Sequence, residues 1–267
     1  PSYLKIADVR TYIPNVPVLA LTATATPEVQ LDIQKKLVFR TETLFRKSFE
    51  RKNLSYVVLR EDDKLHRMVQ VINSVPGTGV VYVRTRRRTK EITEFLKRNK
   101  ISAGFYHGGL SATERSKIQD QWMSGTTRIV VATNAFGMGI DKGNVRFVIH
   151  LDLPESLEAY YQEAGRAGRD EEKAYGVLLY NESDKAEMEQ RAKSNFPELK
   201  QIRSVYQSLG NYFNLAIGSG HGVSFDFQLS AFCSQYNLPV NEAYNSIKIL
   251  ELQGLLELSG SIELQSR

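Results

Sequence analysis

Only one cysteine, Cys233, occurs in the 267 residues, with four histidines and one tryptophan. A lone cysteine excludes an internal disulfide and any cysteine-rich zinc site. His66, His107, His150 and His221 are too scattered along the chain to complete a four-ligand zinc site, so no structural zinc is expected. Cys233 reads as a small, buried, apolar residue on a helix. No apolar run approaches the length of a membrane span and no basic-then-apolar leader opens the chain. A cytoplasmic protein without a membrane partner is the expectation. Two phosphate-handling patterns are also missing. There is no Gly-x-x-x-x-Gly-Lys-Ser/Thr loop to cradle phosphates, and no Asp-Glu-x-His or Asp-Glu-x-Asp to hold magnesium and align water. The chain starts at Pro1 without a methionine, which reads as a piece cut from something longer.

What is present suits a folded protein of one or two domains, since hydrophobic residues make up 42% of the chain. The net charge is +5, unevenly spread: residues 181–267 hold 7 Lys+Arg against 10 Asp+Glu, which leaves 28 against 20 for residues 1–180. The basic part fits a phosphate-binding surface, and scattered solvated charge gives the same sum.

Along the chain, Val18-Leu19-Ala20-Leu21 reads as a short buried strand, and Thr26 with Pro27 and Glu28 reads as a helix start with Val29, Ile33 and Leu37 inward. From Leu54 onward strands and helices alternate. Leu54–Leu59, Gly79–Arg84, Gly104–His107, Arg128–Ala132, Phe147–Leu151 and Tyr175–Tyr180 are the strands. The continuous apolar runs among them suit strands buried on both faces of a parallel sheet. Between them, Asp62 or Asp63, the Ser111-Ala112-Thr113-Glu114 capping box and Ser156 start helices. This pattern predicts an α/β fold with a doubly wound parallel sheet. After Asn181 the pattern turns helical. Leu229–Tyr236 and Val240–Gln253 read as two helices joined by Asn237-Leu238-Pro239, followed by a hairpin through Leu255–Leu258 and Ile262–Leu264, which suggests a winged helix.

Three strand ends carry residues suited to phosphate. Thr85 and Arg86 follow one strand where a helix begins, a natural anion site. His107 leads into Gly108-Gly109; it reads equally as a turn histidine bonded to backbone. Thr133 and Asn134 end another strand, ahead of Gly137 and Gly139, whose backbones can approach a ligand closely. Asp141 in that glycine-rich loop is also an ordinary turn residue. In Tyr160-Tyr161-Gln162-Glu163-Ala164-Gly165-Arg166-Ala167-Gly168-Arg169-Asp170 a helix would set Gln162, Arg166 and Arg169 on one face at i, i+4 and i+7. Two guanidinium forks aimed together match phosphate oxygens; the same residues also suit an exposed basic helix end.

The last stretch resembles motif VI of superfamily-2 helicases. With Ala132-Thr133-Asn134-Ala135-Phe136-Gly137-Met138-Gly139-Ile140-Asp141-Lys142 upstream, the chain resembles the RecQ DNA helicases specifically, over roughly residues 1–180. The resemblance implies a motor driven by ATP with Mg2+, moving 3′ to 5′ on single-stranded and partly duplex DNA. It divides the chain into residues 1–41, the tail of a first RecA-like lobe; residues 42–180, the second lobe; and residues 181–267, a helical and winged-helix-like part. Thr22-Ala23-Thr24 then corresponds to motif III, with Thr22 and Thr24 coupling nucleotide state to DNA contact. Arg169, with Arg166 and Gln162 beside it, is implied as the arginine-finger group, and Gly139 and Asp141 as nucleotide contacts. Thr85, Arg86, His107, Thr133 and Asn134 are implied as nucleic-acid contacts. The phosphate loop and magnesium ligands are expected in the first lobe, upstream. The family's four-cysteine zinc module has no ligands in this sequence, and the second helix of the winged-helix pattern offers one base, Lys248, against Glu242 and Glu251. Two other readings fit the same residues: a superfamily-2 motor acting on RNA, and a non-enzymatic DNA-binding regulator working through the winged helix.

Overall fold

A computed structural model describes residues 6–22, 25–41, 43–46, 48, 50–137, 140–216 and 218–258. Thr24, Gly139 and the far half of the expected hairpin lie outside the described residues. The chain divides into two compact units, Pro1–Asn181 and Glu182–Arg267.

The first unit opens with helices α1 (Ile6–Tyr12) and α2 (Pro27–Lys36). Thr26 caps α2 through its hydroxyl, which accepts from the Val29 amide, and Pro27 sits in the first turn where its missing N–H costs nothing. The strand expected at Val18–Leu21 is not formed. Leu19 and Leu21 are 76% and 85% exposed on irregular backbone. A strand's amides and carbonyls need a neighbour to pair with, and no described strand runs beside this segment. Thr22 follows it, also exposed.

Six strands and four helices then alternate: β1 (Leu54–Arg60), α3 (Lys64–Ser74), β2 (Thr78–Tyr82), α4 (Arg86–Arg98), β3 (Ala103–Tyr106), α5 (Ala112–Met123), β4 (Ile129–Ala132), β5 (Val145–His150), α6 (Leu157–Ala164) and β6 (Ala174–Tyr180). They form one sheet in the order β1-β6-β5-β2-β4-β3, parallel throughout. Strands β2 and β4 lie side by side in its interior, with Val80 opposite Val130 and Val81 opposite Val131. Successive side chains point to opposite faces. Accordingly Val81, Ile129 and Val131 join Met68, Ile72, Ile92 and Leu96 on one side, while Val80, Val130 and Ala132 join Trp122 and Phe136 on the other. Both faces being covered explains why these strands read as unbroken apolar runs. Each fully buried large side chain in these layers contributes about 1.5–3 kcal/mol. This is the α/β, doubly wound parallel sheet expected from the sequence.

The second unit holds α7 (Glu182–Asn195), α8 (Leu199–Tyr212), α9 (Leu229–Tyr236) and α10 (Val240–Leu252) around Val205, Phe232, Cys233, Ala243 and Ile247. Asn237 makes the turn between α9 and α10 in the left-handed conformation, φ 51°, a region that asparagine tolerates better than most residues. Cys233 is buried, and burial pushes its thiol pKa up, away from reactivity. Leu255–Leu258 carries no strand, and the remainder of the hairpin lies outside the described residues. Lys248 on α10 is paired with Glu251 at 2.8 Å. Among the described residues no helix is long and apolar enough to cross a membrane.

Candidate functional site at the carboxyl edge of the sheet

Because every strand is parallel, β2, β3, β4 and β5 all end on one edge, where open α/β sheets bind ligands. Pairing continues one residue past the strands: the Val83 amide donates to Ala132 O, Thr133 to Tyr106 O and Leu151 to Tyr82 O. Three of the expected nucleic-acid segments are thereby brought side by side. After β2, Thr85 caps α4, its hydroxyl accepting from the Arg88 amide at 3.2 Å. Buried Asp152, just beyond β5, accepts from the Arg84 amide at 2.8 Å and pairs with the Arg88 guanidinium, pinning this loop to the neighbouring strand end. Arg86 is exposed and lies over Gly109, where a Cβ would stand 2.8 Å from its Nη1. After β4, Thr133 is buried, its hydroxyl accepting from the Ala135 amide, and Asn134 is exposed.

His107, after β3, is 5% exposed, and neither ring nitrogen has a hydrogen-bond partner. It lies against the Phe105 ring, centroids 5.7 Å apart. Burial lowers its pKa, the Lys90 and Arg86 charges on α4 lower it further, and its own backbone and Glu114 on α5 oppose them. The folded protein thus takes up this proton at lower pH than the unfolded chain does. Its contribution to stability is complete above the ordinary histidine value of 6.5 and is lost as pH falls through the lower, folded value. Denaturant midpoints should fall between neutral and mildly acidic pH, and His107→Asn should flatten that fall. An equally steep acid loss in the variant would assign it to other groups.

The arginine stretch departs from the expected helix. Helix α6 ends at Ala164, Gly165 is its C-cap, and residues 165–170 run through turns, so Gln162, Arg166 and Arg169 do not share a helical face. Long-range bonds end the helix. The Gly168 amide donates to Val145 O at 2.8 Å with φ +63°, and a Cβ there would meet Asn53 Nδ2 at 2.6 Å and Ala174 Cβ at 2.8 Å. Arg51 donates to the carbonyls of Gly165, Ala167 and Gly168, and Asn53 Nδ2 to those of Gly168 and Glu172. No motif or periodicity marks Arg51, Asn53 or Asp152 in the sequence.

The turns send the two arginines in different directions. Arg166 is half-buried and donates to Gly137 O at 2.6 Å; a Cβ on Gly137 would lie 1.9 Å from Arg166 Nη2, so any side chain there would displace the guanidinium. The Arg169 side chain is 37% exposed and donates to Asp141 Oδ1 at 2.7 Å and Ile140 O at 3.2 Å. Asp141 is itself 84% exposed. Gln162 is exposed on α6. The arrangement presents a guanidinium and a carboxylate, paired and exposed, at one rim of the edge. Among the described residues no group of three or more His, Cys, Asp or Glu is placed to hold a metal ion.

Residues 63–171, which span this edge, match the helicase conserved C-terminal domain family. The match and the parallel sheet together give the first unit the α/β fold of a helicase C-terminal domain. The chain belongs to the RecQ type of the superfamily-2 helicases. It is 40% identical over 213 residues to the ATP-dependent DNA helicase RecQ of Bacillus subtilis, covering 76% of this chain and 36% of that protein. The RecQ helicase of Pasteurella multocida is 38% identical over 187 residues, covering 70% and 30%. A putative ATP-dependent RNA helicase of Acanthamoeba polyphaga mimivirus is 44% identical over 186 residues, covering 68% and 34%. The chain spans about a third of the length of these curated relatives. The solved structure of Saccharomyces cerevisiae Dbp5 bound to Gle1 shares the fold, with TM-score 0.54 and 22% identity over 72% of this chain and 51% of that one.

Proposed function

We propose that this chain is the arginine-finger half of an ATP-dependent DNA helicase moving 3′ to 5′, and that its sheet edge forms part of the single-stranded DNA track. One observation carries the reading: Arg169 and Asp141, 28 positions apart, meet as an exposed ion pair at the rim of the sheet edge. Arg169 gives up Asp141 for the terminal phosphate of a nucleotide held by an opposing lobe, where its charge stabilises the transferring group. Asp141 is then released to face the ribose, and Gly139 is the second nucleotide contact of this reading. ATP with Mg2+ supplies the driving chemistry, the magnesium ligands lying on the opposing lobe. Thr85, Arg86, His107, Thr133 and Asn134 follow the DNA backbone along three adjacent strand ends, a contact of phosphates and not of bases. Thr22 and Thr24 couple nucleotide state to DNA contact.

An RNA-acting motor is the second reading, favoured by the mimivirus relative's name. The regulator reading loses support from the pairing of Lys248 with Glu251, which leaves α10 little free positive charge for duplex DNA. The full-length protein separates these. Phosphate release should be stimulated by single-stranded DNA more than by RNA of the same sequence, and a duplex with a 3′ single-stranded tail should be unwound in preference to one with a 5′ tail. Stronger stimulation by RNA would move the assignment to an RNA motor, and no stimulated hydrolysis at all would leave the regulator.

A further inference from the structure

Beneath the candidate edge lies a buried polar cluster that the proposed function does not use. His150, the last residue of β5, is 1% exposed, and its Nε2 meets Glu163 Oε2 of α6 at 2.9 Å. The Tyr82 ring, at the end of β2, stacks on His150 with centroids 5.2 Å apart and planes 19° apart. Tyr160 packs edge-on from the other direction, 5.0 Å from His150. The Tyr82 hydroxyl donates to Phe136 O at 2.8 Å, next to the Gly137 carbonyl that takes Arg166 at 2.6 Å. Tyr82 and Arg166 therefore grip two consecutive carbonyls of the loop that runs from Thr133 to Asp141. Burial holds the Tyr82 phenol well above the ordinary tyrosine range, and the adjacent Arg166 charge offsets that only in part, which keeps the hydroxyl a donor.

The cluster is a poor choice for stability alone. His150 Nδ1 and Arg166 Nε are buried with no hydrogen-bond partner, and apolar side chains of similar volume pack into such a site at no loss. Its placement is more informative. Two residues beyond His150 is Asp152, which pins the loop bearing Thr85 and Arg86. Three residues beyond Tyr82 is Thr85 itself. Three beyond Glu163 is Arg166, and three beyond that is Arg169. One packed unit thus bonds to the loop after β4 and lies a few residues along the chain from the loop after β2 and from the proposed nucleotide-facing arginine.

Resting on the function proposed above, we infer that Tyr82, His150 and Glu163 are positioning residues. Tyr82 holds the Phe136 carbonyl beside the Gly137 carbonyl that takes Arg166, so that the DNA-contacting loops and Arg169 move as one body and DNA binding sets the finger. A rigid, directional polar network transmits a shift that a soft apolar contact would absorb.

The test uses the full-length protein. Tyr82→Phe removes one oxygen and keeps the stacked ring. It should lower kcat for DNA-stimulated ATP hydrolysis about tenfold, equivalent to about 1.4 kcal/mol in the barrier, with the KM for ATP and the melting temperature close to wild type. Glu163→Gln keeps an acceptor for His150 and should retain most of the activity, whereas Glu163→Ala should lose as much as Tyr82→Phe. If Tyr82 acts through Arg166, then Tyr82→Phe combined with Arg166→Lys should be no slower than Arg166→Lys alone. A wild-type kcat in Tyr82→Phe, losses that multiply in the double variant, or a loss that follows a fallen melting temperature would each overturn the inference and leave the proposed function standing. A wild-type protein without DNA-stimulated hydrolysis would instead overturn the proposed function, and this inference with it.

Discussion

In the full-length protein, Arg169→Ala should cut DNA-stimulated ATP turnover by about 10³-fold or more, while ATP binding stays close to normal. The asymmetry follows from when the contact forms. Without nucleotide, the Arg169 guanidinium is held by the exposed carboxylate of Asp141 and by Ile140 O, so it has partners it can exchange at little cost. Exposed pairs of this kind stabilise by about 0–1 kcal/mol, and losing one leaves the fold intact. The gain from moving the guanidinium to a phosphate arises mainly as charge develops in the transition state, so truncation removes catalysis and spares binding. Replacing Asp141 with alanine should act differently, by freeing Arg169 and deleting a nucleotide contact; the KM for ATP should rise. Steady-state kinetics with and without single-stranded DNA, alongside direct nucleotide binding, distinguish the two. Near-normal turnover in Arg169→Ala would end the finger assignment, and an unchanged KM in Asp141→Ala would end the nucleotide role of that carboxylate.

The 267-residue chain taken by itself should release no phosphate from ATP and unwind no duplex. Hydrolysis needs a phosphate cradle, magnesium ligands and a water-positioning carboxylate on one side of the nucleotide and the arginines on the other. The sequence carries the arginine side, and no Gly-x-x-x-x-Gly-Lys-Ser/Thr or Asp-Glu-x-His pattern occurs in it. The chain should fold around its parallel sheet, bind ATP poorly, and bind single-stranded DNA weakly at low salt through the basic first unit, with affinity falling as salt rises. A first lobe added in trans would restore at most a trace of turnover, because separating the lobes forfeits the effective concentration of a shared chain. The measurement is phosphate release at saturating single-stranded DNA, with the Arg169→Ala chain as the control for contaminating ATPase. Turnover that disappears in the control would mean that these residues contain a nucleotide site of their own.

Much of the architecture was legible along the chain because its signals are local. Apolar runs placed the six strands, and Thr26 with Pro27, Asp62 or Asp63, the Ser111–Glu114 box and Ser156 marked helix starts that the structure reproduces, the second of them with Asp63 as the cap. The unbroken run Val80–Val81–Tyr82–Val83 announced a strand covered on both faces, and so a doubly wound sheet. The glycine and arginine stretches named the candidate loops by type and spacing. Two of the local readings that failed did so for one reason. Val18–Leu21 has the composition of a buried strand, yet strand formation depends on a pairing partner that composition cannot supply. The arginine stretch has helical spacing, but its helix stops at Ala164 because Gly168 is tied to Val145 and Arg51 takes the carbonyls beyond.

The sequence by itself determined which segments become strands and helices, and which residue types are available for phosphate, since caps, turns and side-chain periodicity act over a few positions. Only the tertiary structure decided that β2 lies between β4 and β5, that Arg166 turns inward to Gly137 while Arg169 stays at the rim with Asp141, and that Tyr82, His150 and Glu163 are neighbours. These contacts join residues 29 positions apart for Arg166 and Gly137, and 116 apart for Arg51 and Ala167. At such separations a side chain's direction is set by the hydrogen-bond partners the folded sheet brings to it, and no local preference encodes them.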